Sequence, residues 1–156
     1  MFQVEPLSAT PFLPLYGLSD AALKVAGVIA RIADKTPGFP CRVSLRDAEP
    51  GERVLLMNYE HQPADSPFRA SHAIFVREGV EEARLNPDEL PPVFLTRMLS
   101  VRAFDGDGMI VAAQLTQGAE AGPVFDDLLA REGVQYLHAH YAAWGCYAAK
   151  IISPSS

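Results

Sequence analysis

Cysteine is scarce in this sequence of 156 residues, where it occurs only at positions 41 and 146. Cys41 and Cys146 do not form a CxxC pair, and neither belongs to the spacing of a zinc finger, so the common cysteine-based motifs are excluded. In a cytosolic protein two such cysteines usually stay reduced. We therefore expect two free thiols.

Long basic and apolar runs are also missing. The net charge is −6 and the isoelectric point is near 5.1, and no cluster of lysine and arginine supplies the basic patch that nucleic acid binding requires. No apolar run approaches the roughly 20 residues of a membrane-spanning helix, and residues 1–6 do not resemble a signal peptide. We expect a cytoplasmic protein whose partners include neither nucleic acid nor a membrane.

Complete catalytic motifs are absent as well, since the sequence has no glycine-rich phosphate loop, no GxSxG element and no HExxH element. Hydrophobic residues make up 49% and charged residues 21% of the chain, which is the composition of a globular protein. The 13 prolines and 11 glycines predict many turns and short elements. The length fits one domain that spans residues 1–156.

The most informative stretch is a predicted strand over residues 54–59, a polar loop over 61–71 and a second strand over 73–77. Side chains alternate between the faces of a strand, so Tyr59 and His61 share the face of the apolar residues that precede them. The loop is too long for a tight hairpin, and long loops on a rigid scaffold commonly carry binding groups. The alternative is a surface loop stiffened by its prolines.

Further strands are predicted over residues 2–4, 28–32, 41–45, 99–104, 109–113, 134–141 and 146–152, with one helix capped by Ser19 and another over 122–132. The strands on either side of the Asp/Gly turn at 105–108 form the strongest hairpin signal. We predict an α+β fold: a single domain with a mostly antiparallel curved sheet and one or two helices packed on it. The first helix either ends at Gly27, before a strand, or continues to Ala33.

Several segments resemble a bacterial protein family of unknown function, family 1203 of the domains of unknown function. The segments that carry the resemblance are residues 40–48, 58–63, 65–67, 73–79 and the tail from 138–140 to 145–147. They span most of the chain, so the resemblance implies a single domain. It implies no activity, cofactor or catalytic residue, because none is established for the family.

His138 and His140 lie two residues apart on a predicted strand, so their side chains project from one face. Two imidazoles at this spacing can hold one metal ion, with His61 as a third ligand if the strands are neighbours. Such a site suits Zn²⁺ or Fe²⁺ with one position open to water. No carboxylate follows at close spacing, and we assign no metal ligand. The alternative is one hydrogen-bonded core histidine and one surface histidine.

Cys41 is a candidate nucleophile because an arginine follows it, and a cationic neighbour raises the thiolate fraction of a cysteine. A Cys–His pair would use His61 or His140 as the base, with Asp65 or Asp47 to orient the base. Consecutive side chains on a strand point to opposite faces, however, which weakens the coupling. A free cysteine more commonly packs inertly in the core.

Four arginines can together clamp a carboxylate or a phosphate, although ordinary ion pairs are the simpler role for each of them. They are Arg42, Arg69, Arg77 and Arg102. Our leading hypothesis is a small polar or anionic molecule bound in a pocket beside the 61–71 loop. The candidate catalytic residues are Cys41, His61 and His140, and the candidate ligand-binding residues are Arg42, Tyr59, Arg69, Ser71 and His138. The sequence leaves open whether the protein is an enzyme and which cofactor it uses. A homodimer joined through an edge strand is the third alternative.

Overall fold

The eight strands of residues 1–154, the part of the chain that the computed structural model describes, divide between two antiparallel sheets. The strands are β1 (Gln3–Glu5), β2 (Ile29–Ile32), β3 (Arg53–Gln62), β4 (Ala70–Arg77), β5 (Met98–Phe104), β6 (Ile110–Gln117), β7 (Tyr136–Tyr141) and β8 (Tyr147–Ile152). The helices are α1 (Asp20–Val25), α2 (Pro92–Leu95) and α3 (Ala121–Leu129), with 3-10 turns at Thr10–Leu15 and Gly118–Glu120. One sheet has the order β1-β8-β7-β5-β6 and the other has the order β2-β3-β4.

The five-stranded sheet has one apolar face and one polar face, because apolar and polar residues alternate along its central strands. The apolar face carries Leu99, Val101, Ala103, Leu137, Ala139, Ala149 and Ile151, all of them buried. Helix α3 covers this face with Ala121, Phe125 and Leu128, which lie on one side of the helix. The opposite face of the sheet is therefore left to the polar residues.

The three-stranded sheet forms a separate apolar core with α1 and the segment that precedes β3. Leu55 and Met57 of β3 pack there with Ile74 and Val76 of β4, and Leu23 reaches this core from α1. The two sheets meet where β4 approaches β8. The polar face of the larger sheet is turned toward this junction, which is where the candidate site lies. Within residues 1–154, no helix is both long and apolar enough to cross a membrane.

Most of the predicted elements are confirmed, and so is the α+β class. The side chain of Ser19 accepts the backbone N–H of Ala22 at 3.2 Å and caps α1. Gly27 follows the helix with a φ of 78°, a left-handed conformation that suits glycine, and β2 follows it. The hairpin of β5 and β6 is present, with Val101 opposite Gln114. The strands form two sheets instead of one curved sheet.

The strand predicted over residues 41–45 is wrong. Cys41 forms only an isolated bridge to Phe75, and the chain then turns so that the N–H of Leu45 returns to the carbonyl of Cys41 at 3.1 Å. Leu45 has a φ of 52°, which a strand does not allow. Long-range backbone hydrogen bonds favour the turn over a strand, since the Arg42 carbonyl accepts from Leu7 at 2.9 Å and the Arg42 N–H donates to Phe75 at 3.1 Å.

The loop predicted over residues 61–71 is shorter than expected. β3 continues to Gln62 and β4 begins at Ala70, so the connection comprises residues 63–69. His61 and Gln62 at its first end belong to β3 because they face the polar junction between the sheets, where their side chains find His72 and Tyr136 as partners. The loop itself packs on the turn of the β5–β6 hairpin, where Ser66 Oγ donates to the carbonyl of Gly108 at 2.9 Å.

A β-bulge at the end of β3 sets the orientation of the His61 and Gln62 side chains. Tyr59 pairs with His72, but Gln62 pairs with Ala70, so β3 carries one residue more than β4 in this interval. In a regular strand His61 and Gln62 would point to opposite faces. The extra residue lets both turn toward the interior, and bulges often re-aim side chains in this way next to functional sites.

A buried guanidinium ties the two sheets together. Arg42 is 1% exposed, and its Nε donates to the carbonyl of Tyr147 on β8 at 2.8 Å. Its Nη1 donates to the carbonyl of Pro40 at 2.6 Å, and its Nη2 contacts Cys146 Sγ at 3.2 Å. Its own backbone N–H donates to Phe75 of β4 at 3.1 Å. One residue thus bonds to both sheets.

Replacing Arg42 by methionine, which has a similar length, should lower the free energy of unfolding by about 3 kcal/mol or more. The substitution leaves the carbonyls of Tyr147 and Pro40 buried without a donor. Arg69→Met is the matched control, because the Arg69 side chain is 57% exposed and pairs only with Glu60, and its effect should stay within about 0.5 kcal/mol. Urea denaturation measures both. Equal stability of the two variants would contradict the role of Arg42.

Candidate functional site

All four histidines of the chain lie together at the junction of the sheets, two from each sheet. His61 is on β3, His72 is on β4, and His138 and His140 are on β7. The ring centroid of His61 lies 4.7 Å from that of His72, 5.5 Å from that of His138 and 5.1 Å from that of His140. The structure therefore brings together the three histidines that the sequence analysis singled out, and adds a fourth.

His138 and His140 occupy the polar face of the five-stranded sheet, as their two-residue spacing predicts. Leu137 and Ala139 alternate with them and face the apolar core. Both histidines are nearly fully buried, at 3% and 1% exposure, because the end of the smaller sheet covers them. The alternative of one core histidine and one surface histidine is therefore wrong.

The hydrogen bonds of His140 decide which of its nitrogens is free. Its Nδ1 lies 3.0 Å from the carbonyl of Gly145, and a carbonyl can only accept, so Nδ1 carries the proton. Its Nε2 therefore presents a lone pair. A histidine that ligates a metal commonly donates its other N–H to a carbonyl in this way.

A second hydrogen bond joins two imidazoles, since His61 Nε2 lies 2.6 Å from His72 Nδ1. One nitrogen of this pair donates and the other accepts. Within residues 1–154, the buried Nδ1 atoms of His61 and His138 have no hydrogen-bond partner. A buried polar atom without a partner costs about 1–3 kcal/mol. The orphaned nitrogens therefore call for a group that the protein itself does not supply.

Burial keeps the imidazoles neutral. It lowers the pKa of His138 to about 3 and that of His61 to about 4, with smaller contributions from the neighbouring histidines and from cationic side chains. The pKa of His140 is about 3, again mainly because of burial, although the carbonyl of Gly145 opposes the shift. The pKa of His72 is also lowered by burial. At neutral pH the cluster offers nitrogen lone pairs and does not carry positive charge of its own.

The separation of the nitrogens approaches that of a metal site. One nitrogen from each of His61, His138 and His140 lies within 4.8 Å of the other two. Zn–N bonds of about 2.0–2.1 Å at tetrahedral angles place ligand nitrogens about 3.3 Å apart. A metal ion on all three would therefore require the widest of these separations to shorten by up to about 1.5 Å.

Aromatic rings pack against the histidines. The ring of Tyr147 stacks on His61 with centroids 4.8 Å apart and planes inclined by 7°. His138 lies against Phe104 and Tyr136, at centroid distances of 4.8 and 5.3 Å. This apolar wall is the source of the low dielectric that holds the imidazoles neutral.

A cleft of about 750 Å³ opens beside the cluster, a volume within the range of small-molecule sites. His72 contributes to its wall, as do Arg42, Tyr141 and Cys146, and Trp144 lies at its edge with 90% exposure. Of the four histidines, His72 is the one that lines the cleft, and its Nδ1 lies 2.6 Å from His61 Nε2.

The predicted ligand-binding residues are divided between this region and the surface. Arg42 lines the cleft, and Tyr59 lies opposite His72 in the strand register and packs on Phe12, with ring centroids 6.0 Å apart. Arg69 pairs with Glu60 on the exposed side of the sheet. Ser71 is exposed, because it alternates with the inward-facing residues of β4. The structure therefore does not bring Arg69 and Ser71 to the histidines.

Cys41 lies in the core of the smaller sheet and is 0% exposed. Its sulfur accepts the backbone N–H groups of Val43, Ser44 and Arg77 at 3.3–3.4 Å. Within residues 1–154, no hydrogen bond joins Cys41 to a histidine. The predicted Cys–His pair is not assembled, and this arrangement fits the alternative of a packed thiol.

Sequence analysis missed His72 and Gln62. On β4, His72 is separated from Ile74 and Val76 by even numbers of residues, so strand alternation would have pointed it to their face had the predicted strand begun one residue earlier. Gln62 is 2% exposed and donates to the Tyr136 hydroxyl at 2.8 Å. No sequence signal marks the bulge that turns Gln62 inward.

A comparison with protein families identifies the family of the chain. The family model described as "Protein of unknown function (DUF1203)" matches residues 38–152 of the chain, a range that contains all four histidines. Comparisons with curated proteins and with solved structures give no match. The chemistry of the site therefore has to be argued from its own residues.

The neutral histidines should make the metal-free protein less stable in mild acid. The unfolded chain takes up protons on its histidines below about pH 6.5, whereas folded His138 and His140 resist protonation down to a pKa of about 3. Their contribution to stability is present above the unfolded pKa and is lost as the pH falls toward 3. When the pH falls from about 7.5 to 5, each of these two histidines should lower the free energy of unfolding by on the order of 2 kcal/mol. Urea denaturation at the two pH values, with a chelator present, measures the loss. A His138→Gln variant with the same pH dependence as the natural chain would contradict this assignment.

The two thiols should differ in their reaction with iodoacetamide. Native protein should be alkylated at the partly exposed Cys146, whereas the fully buried Cys41 should react only after unfolding. Mass spectrometry of peptides from native and urea-treated samples distinguishes the two sites. Rapid labelling of Cys41 in native protein would restore the nucleophile hypothesis.

Proposed function

The chain belongs to the family of proteins of unknown function DUF1203, and we propose that it binds a divalent transition metal ion on His61, His138 and His140. The observation that carries the proposal is the convergence of one nitrogen from each of these side chains to within 4.8 Å. His138 and His140 are neighbours on β7, but His61 comes from the other sheet, so neither strand pairing nor sequence proximity requires it to meet them.

The chemistry of the three side chains favours an ion such as Zn²⁺ or Fe²⁺. Neutral imidazole is a common ligand for both, and the set contains three nitrogens and no carboxylate. Three protein ligands leave a coordination position for water or for a ligand oxygen, which is typical of catalytic and not of structural zinc sites. At such a position the ion acts as a Lewis acid.

The competing view is that the histidines are ordinary packed residues. Buried polar atoms are hydrogen-bonded in the large majority of cases. Within residues 1–154, the Nδ1 atoms of His61 and His138 break this rule together, in one cluster. Coordination of an ion would give these nitrogens a partner that packing does not supply.

We further propose that a small molecule reaches the ion from the cleft that His72 lines. This revises the hypothesis of a pocket beside the 61–71 loop, because Arg69 and Ser71 lie at the surface. The cytoplasm is the compartment that we propose, since both cysteines are free thiols and Cys146 is partly exposed.

Homodimerisation through an edge strand is a separate proposal about assembly. β6 lies at an edge of the larger sheet and exposes Val111 and Leu115, at 51% and 63%. An exposed edge with apolar side chains is a template for pairing with another chain. The metal site itself is complete within one chain.

Isothermal titration of metal-free protein with Zn²⁺ tests the proposal. We expect one ion per chain, and we expect His138→Gln and His140→Gln to weaken binding by at least about 100-fold, because each removes a ligand. His72→Gln should weaken binding by about 10-fold, because His72 holds His61 through the 2.6 Å hydrogen bond.

Cys146→Ser is the control, since it removes the accessible thiol without touching the histidines, and its affinity for Zn²⁺ should equal that of the natural chain. Failure of the natural protein to bind a stoichiometric ion would overturn the proposal. So would binding that persists unchanged in the double variant His138→Gln, His140→Gln.

A further inference from the structure

Arg102 differs from the other arginines in residues 1–154 in being partly buried with neither a carboxylate partner nor a set of short hydrogen bonds. Those that pair with a carboxylate are Arg53, Arg69, Arg77, Arg97 and Arg131. Those that are exposed to solvent are Arg31, Arg46 and Arg84. The remaining two are Arg42, whose donors are taken by carbonyls and a thiol, and Arg102.

The strand register places Arg102 directly beside the histidine cluster. Across the sheet Arg102 lies opposite His138, which in turn lies opposite Lys150, and Lys150 lies opposite Glu5. Side chains at opposed positions share one face of a sheet. His138 is therefore flanked by a cation on each side, and Glu5 is the only acid in this row of four.

The contacts of the guanidinium are few and long. Arg102 Nε lies 3.4 Å from Ser100 Oγ, and Nη1 lies 3.5 Å from His140 Nε2, whereas ordinary N–H···O bonds are about 2.7–3.2 Å long. Arg102 is partly buried, and burial lowers its pKa. Within residues 1–154, no carboxylate lies within 4.0 Å of it. A partly buried guanidinium without a carboxylate partner is suited to bind an anion.

We infer that Arg102 binds the carboxylate or phosphate group of a small-molecule ligand that sits beside the histidine cluster. The guanidinium presents parallel N–H donors that match two oxygens of either group. Lys150, whose Nζ lies 4.8 Å from the centroid of the Tyr136 ring, adds positive charge on the other side of His138. The inference deepens the proposed function. It rests on that function only in taking a metal ion to be bound at the histidines.

The charge of the site supports the same conclusion. A divalent ion held by three neutral imidazoles keeps its full charge, and two cationic side chains lie next to the ligands. The protein as a whole is acidic, with a net charge of −6, so this local excess of positive charge is not a property of its surface. An oxyanion would neutralise it, and would draw Arg102 away from the lone pair of His140 Nε2 that the metal requires.

Titration calorimetry with acetate and with methyl phosphate tests the inference, on protein loaded with Zn²⁺ and on protein freed of metal by a chelator. Acetate and methyl phosphate distinguish a carboxylate ligand from a phosphate ligand. The variants are Arg102→Gln, Arg102→Lys and the surface control Arg69→Gln. We expect Arg102→Gln to weaken binding of the preferred anion by at least about 10-fold, because charge-assisted hydrogen bonds are lost.

The affinity of Arg102→Lys for the anion should lie between those of Arg102→Gln and the natural chain, since lysine keeps the charge but loses the paired donors. It serves as the second variant if Arg102→Gln folds poorly. Arg69→Gln should bind the anion as the natural chain does. The affinity for Zn²⁺ should be unchanged or higher in Arg102→Gln, because a competing cation has been removed from His140.

The two proposals fail in different ways. The inference about Arg102 is overturned if the natural chain binds neither anion. It is also overturned if Arg102→Gln and Arg102→Lys bind both anions as tightly as the natural chain does. Neither conclusion depends on the result with Zn²⁺. If the natural chain binds no Zn²⁺ but metal-free protein shows anion binding that depends on Arg102, the inference holds and the proposed metal function is overturned.

Discussion

The contact on which the architecture depends is the guanidinium of Arg42 in the junction between the sheets. It donates to the carbonyl of Tyr147 in the larger sheet, while its backbone bonds to Phe75 in the smaller one. Burying a cation without a carboxylate is costly unless its donors are satisfied. The carbonyls and the thiol that surround Arg42 satisfy them, and they hold the two sheets in one relative position. The convergence of the four histidines follows from that position.

The larger sheet separates an apolar environment from a polar one. Its apolar face gives α3 a conventional core, and its other face carries histidine, arginine and lysine toward the smaller sheet. Phe104, Tyr136 and Tyr147 pack against the histidines of this second layer. Burial of the imidazoles lowers their pKa values, and two of their nitrogens are left without hydrogen-bond partners.

Local rules predicted much of the fold and part of the site. The Asp/Gly turn identified the β5–β6 hairpin, the apolar spacing identified α3, and strand alternation aimed His138 and His140 to one face. These features depend on residues that are close in sequence. The turn after Cys41 could not be predicted in this way, because it is imposed by bonds between Leu7, Arg42 and Phe75.

The remaining errors have the same origin. The bulge before Gln62 and the inward position of His72 are set by the opposite sheet, which supplies the partner Tyr136 and the rings that cover the histidines. Division of the strands into two sheets is likewise a long-range property, since β1 pairs with β8 at the other end of the chain. From the sequence alone, polar residues next to a predicted loop are therefore assigned to the loop, because their distant partners are not known.

The origin of the histidines in two sheets has a thermodynamic consequence. His61 and His72 meet His138 and His140 only when the sheets are docked, so a ligand that spans all of them binds the docked state and not a separated one. By linkage, its binding free energy is added to the cohesion of the junction. The junction of the sheets would then become more stable as more of the ligand site is occupied, and it would be most stable when the ligand is abundant.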